Sequence, residues 1–147
     1  MTKCGILLIG HGSRLEYNKE LVTATAELMR EKRPESIIKP CFLEYTRPSV
    51  PEGLDAMRSE DIDVLIAVPL FLSKGVHVLQ NIQSILGLEA GKKSGSFTLE
   101  SGKEISLIYS EPIGANPLLA ELMLQNADAA MAMPGVDSLQ VSVEKNR

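Results

Sequence analysis

The chain has 147 residues, 44% hydrophobic and 23% charged, which suits one globular domain able to bury a sizeable core. No apolar run approaches the roughly 20 residues needed to span a bilayer, which argues against a membrane protein. A net charge of −4 with only six aromatic residues, and no basic block, argues against nucleic acid as the main partner.

The first residues pass from Lys3 into a strand-like run too short for a secretory signal, so a cytoplasmic location is expected. Two cysteines, Cys4 and Cys41, are too few for a disulfide framework and read as buried free thiols. Residues 5–9 are a continuous apolar run, as in a strand buried on both faces. Residues 17–32 follow as a helix, with Leu21, Ala24 and Leu28 on one stripe and Val22, Ala26 and Met29 beside it. Arg33-Pro34 closes that helix, because a residue before proline avoids the α region. Residues 36–45 supply a second strand.

Ser49-Val50-Pro51-Glu52 has the form of a capping box, so a short helix is expected to about Ser59. Residues 62–70 are the third strand, with pairing expected to stop at Pro69. Residues 78–86 read as a helix stopped by Gly87, and residues 91–96 as a loop without apolar content. Ser101-Gly102 marks a hairpin between 97–100 and 104–109, whose second arm is the better fourth strand. Asn116-Pro117 then starts a helix to about Met133, with Leu118, Leu119, Leu122 and Met123 expected inward. The expected organisation is one domain over residues 1–133 and a tail over 134–147. Alternating strands and helices predict an α/β fold, a parallel sheet of about four strands with helices on both faces.

The chain has only two histidines. Each follows an apolar run in a glycine-containing turn: His11 in Gly10-His11-Gly12-Ser13, and His77 behind Ser73-Lys74-Gly75-Val76. Two parallel strands would bring both imidazoles to the carboxyl edge of one sheet, where open α/β sheets bind ligands. Glycine allows a positive φ there and a close approach of ligand to backbone. Ser13 reads as a helix cap, since no further histidine remains to serve it as base within a hydrolase triad. A phosphohistidine enzyme would place arginine just before the histidine, where this chain has Gly10. Cys4 lies at the far end of the first strand, roughly 23 Å from His11 at about 3.3 Å per residue. A metal held by the two histidines would therefore keep open positions, as befits a transient or catalytic ion. Imidazole suits zinc, copper, nickel, iron or cobalt better than magnesium or calcium.

Three motifs in order give a more specific reading: Gly10-His11-Gly12-Ser13; Phe42-Leu43-Glu44 with Arg47-Pro48-Ser49; and Val68-Pro69-Leu70-Phe71-Leu72 through Gly75-Val76-His77. Together they resemble the short class II tetrapyrrole chelatases, the small sirohydrochlorin cobaltochelatases. Glu111-Pro112-Ile113-Gly114 resembles their archaeal branch, which also acts as a nickelochelatase. The resemblance covers about residues 3–131. It implies a flavodoxin-like homodimer that inserts Co²⁺ or Ni²⁺ into sirohydrochlorin, on the way to cobalamin or the nickel tetrapyrrole F430. It implies no tightly bound cofactor, the metal being a substrate.

The resemblance also implies site roles. His11 and His77 become metal ligands and His11 the proton acceptor; Leu72, Ser73, Lys74, Gly75, Val76 and His77 become the substrate loop, with a further contact at Thr46. After His77 the family usually continues with an acidic residue and proline, whereas this chain has Asn81 in Val78-Leu79-Gln80-Asn81. Arg14, Arg47 and Lys74 are the local cations available to a many-carboxylate ring, with Lys74 favoured. Glu44 is either a metal-side carboxylate or a plain strand-end residue. Tyr17 and Phe71 either line the face of the ring or pack in the core, the core being slightly favoured. The alternative to an enzyme is a non-catalytic tetrapyrrole or nickel/cobalt carrier using the same pocket. A small phosphotransfer or hydrolytic enzyme is a third reading, without residues to advertise it.

Metal insertion requires two pyrrole N–H protons to leave as the incoming dication loses water. An imidazole nitrogen can ligate the ion or accept a proton, but not both at once, so the two histidines share the work. Activity is expected to fall as pH drops through roughly 6.5, where imidazole ordinarily protonates. A rate that stays flat from about pH 5 to 8 would contradict this assignment.

Overall fold

A computed structural model describes residues 1–135, with the side chains of all of these except Val76, His77 and Leu79. From residue 136 onward the expected tail lies outside the described residues. The elements run β1 (Cys4–Gly10), α1 (Glu16–Lys32), β2 (Ile37–Phe42), α2 (Val50–Arg58), β3 (Val64–Pro69), α3 (Val76–Ile85), β4 (Ser94–Thr98), β5 (Glu104–Tyr109) and α4 (Pro117–Met131). The chain forms two compact units, one from Met1 to Gly114 and one starting at Ala115.

The sheet order is β2-β1-β3-β5-β4, with β4 antiparallel to β5 and the other neighbours parallel. Leu7 and Ile9 point to one face, where they join Leu54, Met57, Leu65, Ile82 and Leu107 in the larger core. Ile6 and Leu8 point to the other, with Val22, Ala26, Ile38 and Phe42. Helices α2 and α3 thus cover one face of the sheet and α1 the other, as the α/β reading expects. Edge strand β2 carries Pro40 opposite Leu8, tolerable because an edge leaves one row of donors unpaired anyway.

The structure corrects the sequence reading in four places. The sheet has five strands rather than about four, because residues 94–96 belong to β4 and not to a loop. Gly95 pairs with Leu107, and a Cβ at Gly95 would meet Leu88 at 2.8 Å, so backbone pairing and tight packing replace an apolar signal. In α1 the buried stripe is Val22 and Ala26, whereas Leu21 and Leu28 are exposed. Helix and strand approach closely there: a Cβ on Gly10 of β1 would stand only 2.5 Å from Val22. In α4 the Asn116 cap is present, accepting the Leu118 N–H at 2.9 Å, but none of the helix's residues is buried, including the four expected inward. Helix α3 starts at Val76, so His77 lies in its first turn rather than in the preceding loop. No helix among the described residues is long and apolar enough to cross a membrane.

The capping box of α2 forms as read. The Ser49 hydroxyl accepts the Glu52 N–H at 3.2 Å, and the Glu52 carboxylate accepts the Ser49 N–H at 2.9 Å. Arg47 also pairs with Glu52, and its guanidinium, followed by the Ser49 N–H and hydroxyl, holds that carboxyl down at about 2. A carboxyl lowered on folding contributes stability that is complete above its ordinary value of 4.5 and is lost as pH falls toward 2. Glu52→Gln is therefore expected to melt below wild type at neutral pH, with the difference closing in acid. A gap that stays constant in melts down to about pH 2 would overturn the assignment.

Candidate active site

The chain turns outward from β1 in both directions, to β2 on one side and to β3 on the other. The crevice between the carboxyl ends of β1 and β3 is the topological switch point of the sheet, the usual ligand position in open α/β folds. His11 follows β1 directly. Residues 70–75 leave β3 and lead into the first turn of α3, which carries His77. Both histidine segments thus border one crevice. The side chain of His77 lies outside what is described.

Three loops are stitched together around His11. The Leu43 N–H donates to the Gly10 carbonyl at 3.1 Å, and the Glu44 N–H to the His11 carbonyl at 3.0 Å. Thr46 Oγ1 accepts the Ser13 N–H at 3.3 Å and donates to the Ser13 carbonyl at 3.2 Å. On the other flank the Leu70 N–H donates to the Ile9 carbonyl at 2.8 Å. Gly12 adopts φ +86°, and a Cβ there would fall 1.8 Å from the Glu44 carbonyl oxygen. Asn18, in the first turn of α1, accepts the Gly12 N–H at 2.8 Å. Sequence reasoning missed Asn18, whose role only the turn geometry discloses. Ser13 does not cap α1; its hydroxyl accepts the Leu15 N–H at 3.1 Å, and Leu15 occupies the cap position.

The His11 side chain is exposed, with Nδ1 3.2 Å from the Gly12 carbonyl. A carbonyl oxygen only accepts, so Nδ1 carries the proton in that contact and Nε2 presents its lone pair. The Phe71 ring meets the His11 ring edge-on at 6.2 Å and packs partly on the core. His11, Phe71, Leu72, Ser73, Gly75 and Val78 line a cavity of about 330 Å³ with mostly apolar walls. The other predicted site residues fall as follows. Leu72, Ser73 and Lys74 are exposed, Gly75 is the N-cap of α3, and Val76 opens the helix. Thr46 holds the turn of Ser13 rather than facing the cavity lining.

The local cations are less free than the sequence reading expects. Arg47 is engaged by Glu52. The Arg14 guanidinium lies 4.9 Å from the centroid of the Tyr45 ring, and Tyr45 is a non-glycine residue at φ 58°. Lys74 bonds Glu111 at 3.0 Å, a carboxylate whose part in the site the sequence did not reveal. Glu44 is exposed and joins the site through its backbone, Asn81 is exposed on α3, and Tyr17 is 77% exposed rather than in the core. Among the described residues no three histidine, cysteine, aspartate or glutamate side chains gather as a metal cage.

Gly12→Ala is expected to destabilise the fold by at least about 2 kcal/mol in urea titration, since both φ and the Glu44 carbonyl oppose a side chain. An unchanged midpoint would mean that the two backbones do not meet so closely.

Comparison with known proteins gives a consistent picture. Residues 5–130 match the sequence profile of the CbiX family. A protein of Methanococcoides burtonii named sirohydrochlorin cobaltochelatase is 42% identical over 129 residues, covering 88% of this chain and 98% of its own. A CbiX protein of Marinobacter aquaeolei VT8 has a similar structure, with a TM-score of 0.64 at 25% identity over 87% of this chain and 97% of its own. The cobalt complex of the sirohydrochlorin chelatase SirB from Bacillus subtilis subspecies spizizenii shares the fold, with a TM-score of 0.70 at 22% identity. It matches 86% of this chain but only 50% of its own.

Proposed function

The chain belongs to the CbiX family, and from that premise we propose that it is a chelatase inserting Co²⁺ into sirohydrochlorin. The observation that carries the reading is the placement of His11 and the His77 turn on either side of the switch-point crevice. A flat macrocycle fits an open, apolar-walled cleft better than a closed pocket, and Phe71 and Leu72 supply such a wall. Nε2 of His11 is available at the mouth of that cleft to take a pyrrole proton or to hold the ion. The His77 turn supplies the second imidazole, so one ring ligates while the other takes the two pyrrole protons in turn, passing each to water. Residues 72–77 form the substrate loop, and Thr46 contributes by fixing the turn beside His11. Few protein ligands keep the ion exchangeable, as a metal to be handed on must be.

The same imidazoles suit Ni²⁺, so the proposal extends to nickel insertion and to cobalamin or F430 as the destination. We also propose a homodimer. A second copy would supply the other wall of the cleft, in keeping with the half-length match to SirB.

The test is to mix the protein with sirohydrochlorin and Co²⁺ and to follow the visible absorbance change. Multiple turnovers are expected in wild type, with His11→Ala and His77→Ala each losing at least about a hundredfold in rate. Binding without turnover would instead identify a carrier.

A further inference from the structure

The segment joining α3 to β4 reaches the carboxyl edge of the sheet, because β4 runs antiparallel and starts there. Ser94 pairs with Ile108, and the Tyr109 N–H donates to the Lys93 carbonyl at 2.8 Å. The Gln83 amide donates to the carbonyls of Glu89 and Lys92 at 2.9 and 2.6 Å. The backbone at Lys93 is thereby tied to α3 on one side and β5 on the other. Its ammonium stands 5.0 Å from the centroid of the Tyr109 ring and 3.4 Å from Glu111 Oε1. The second oxygen of the same carboxylate, Oε2, takes Lys74 at 3.0 Å.

Two ammonium groups share one carboxylate, so the cluster keeps a surplus positive charge. Each ammonium has three donors, and Glu111 engages only part of that capacity. Both lysine side chains are half exposed or more, at 65% and 50%, so the remaining donors can reach a ligand. Lys74 stands between Ser73 and Gly75, which line the His11 cavity. The 111–114 segment fixes that loop as well: the Ile113 N–H donates to the Phe71 carbonyl at 2.9 Å and the Gly114 N–H to the Leu72 carbonyl at 2.7 Å. Lys74 foremost holds the Glu111 carboxyl below the ordinary carboxylate range, so the bridge persists across neutral pH.

Granting the tetrapyrrole substrate proposed above, we propose that Lys93 is a specificity-determining residue, forming with Lys74 a two-ammonium clamp for one peripheral carboxylate of the ring. Glu111 keeps the two like charges side by side while the ring is absent. The surplus charge also explains how an acidic chain draws a polyanionic substrate to this edge, since distant surface charges are screened within about 10 Å.

The test is equilibrium binding of metal-free uroporphyrin, an all-carboxylate porphyrin, followed by absorbance with no metal added. Lys93→Ala is expected to weaken binding about threefold to fivefold and Lys93→Glu about tenfold, with Lys93→Arg within about twofold of wild type. Lys92→Ala, in the same loop, should bind as wild type does. The deficit of Lys93→Ala should shrink in about 0.5 M salt, and all variants should melt together. Equal affinity of wild type and Lys93→Glu would overturn the clamp while leaving the chelatase reading intact. So would an equal loss in Lys92→Ala, which would mean a response to net charge alone. No porphyrin binding by wild type would overturn both.

Discussion

Where β1 and β2 leave the sheet, their exit loops meet backbone against backbone. The Glu44 carbonyl occupies the space that any Cβ on Gly12 would need. Without that contact, the Glu44 N–H could not reach the His11 carbonyl, nor Thr46 both backbone groups of Ser13. The turn carrying His11 is consequently held by main-chain bonds and by two short side chains, Thr46 and Asn18, at little cost in side-chain entropy. An exposed imidazole mounted this way keeps its direction without being buried. That combination suits a group that must meet a large ring and still reach water.

The second constraint is the strand order. With β1 and β3 adjacent and parallel, the loops after them are neighbours whatever their sequences. The fold therefore brings the two histidine segments to one crevice before any side-chain interaction is considered. The loop after β3 is then fastened from a third direction, by the residues that follow β5, through Ile113, Gly114 and Glu111. This arrangement divides the labour. Topology sets which residues meet, while ion pairs and backbone bonds set how firmly the loop after β3 is held.

Much of this was legible in the residues, for identifiable reasons. Continuous apolar runs marked β1 and β3, because central parallel strands are buried on both faces. The cap of α2 was legible because its partners lie within one turn. What escaped was non-local or weakly patterned. Strand β4 was legible from Phe97 onward, as the first arm of the hairpin; its first three residues escaped, because none of them is buried. The two adjacent stripes of α1 looked alike along the chain, and the close approach of Gly10 to Val22 shows which of them faces the sheet. Lys74, Lys93 and Glu111 come from three separate loops, so their pairing has no signature along the chain. Arg47 looked like a free cation until the turn folded it onto Glu52.

The two borders of the sheet have a further consequence. At one border, Pro40 deprives β2 of a donor and Lys39 adds a charge; at the other, β4 is five residues long and alternates Ser94, Ser96 and Thr98 outward. Neither border is a good template for an incoming strand. A growing ribbon of copies, joined strand to strand, is disfavoured from both ends. Such a design leaves association between copies to helical surfaces or to the carboxyl side of the sheet, where a self-complementary contact closes on itself as a pair.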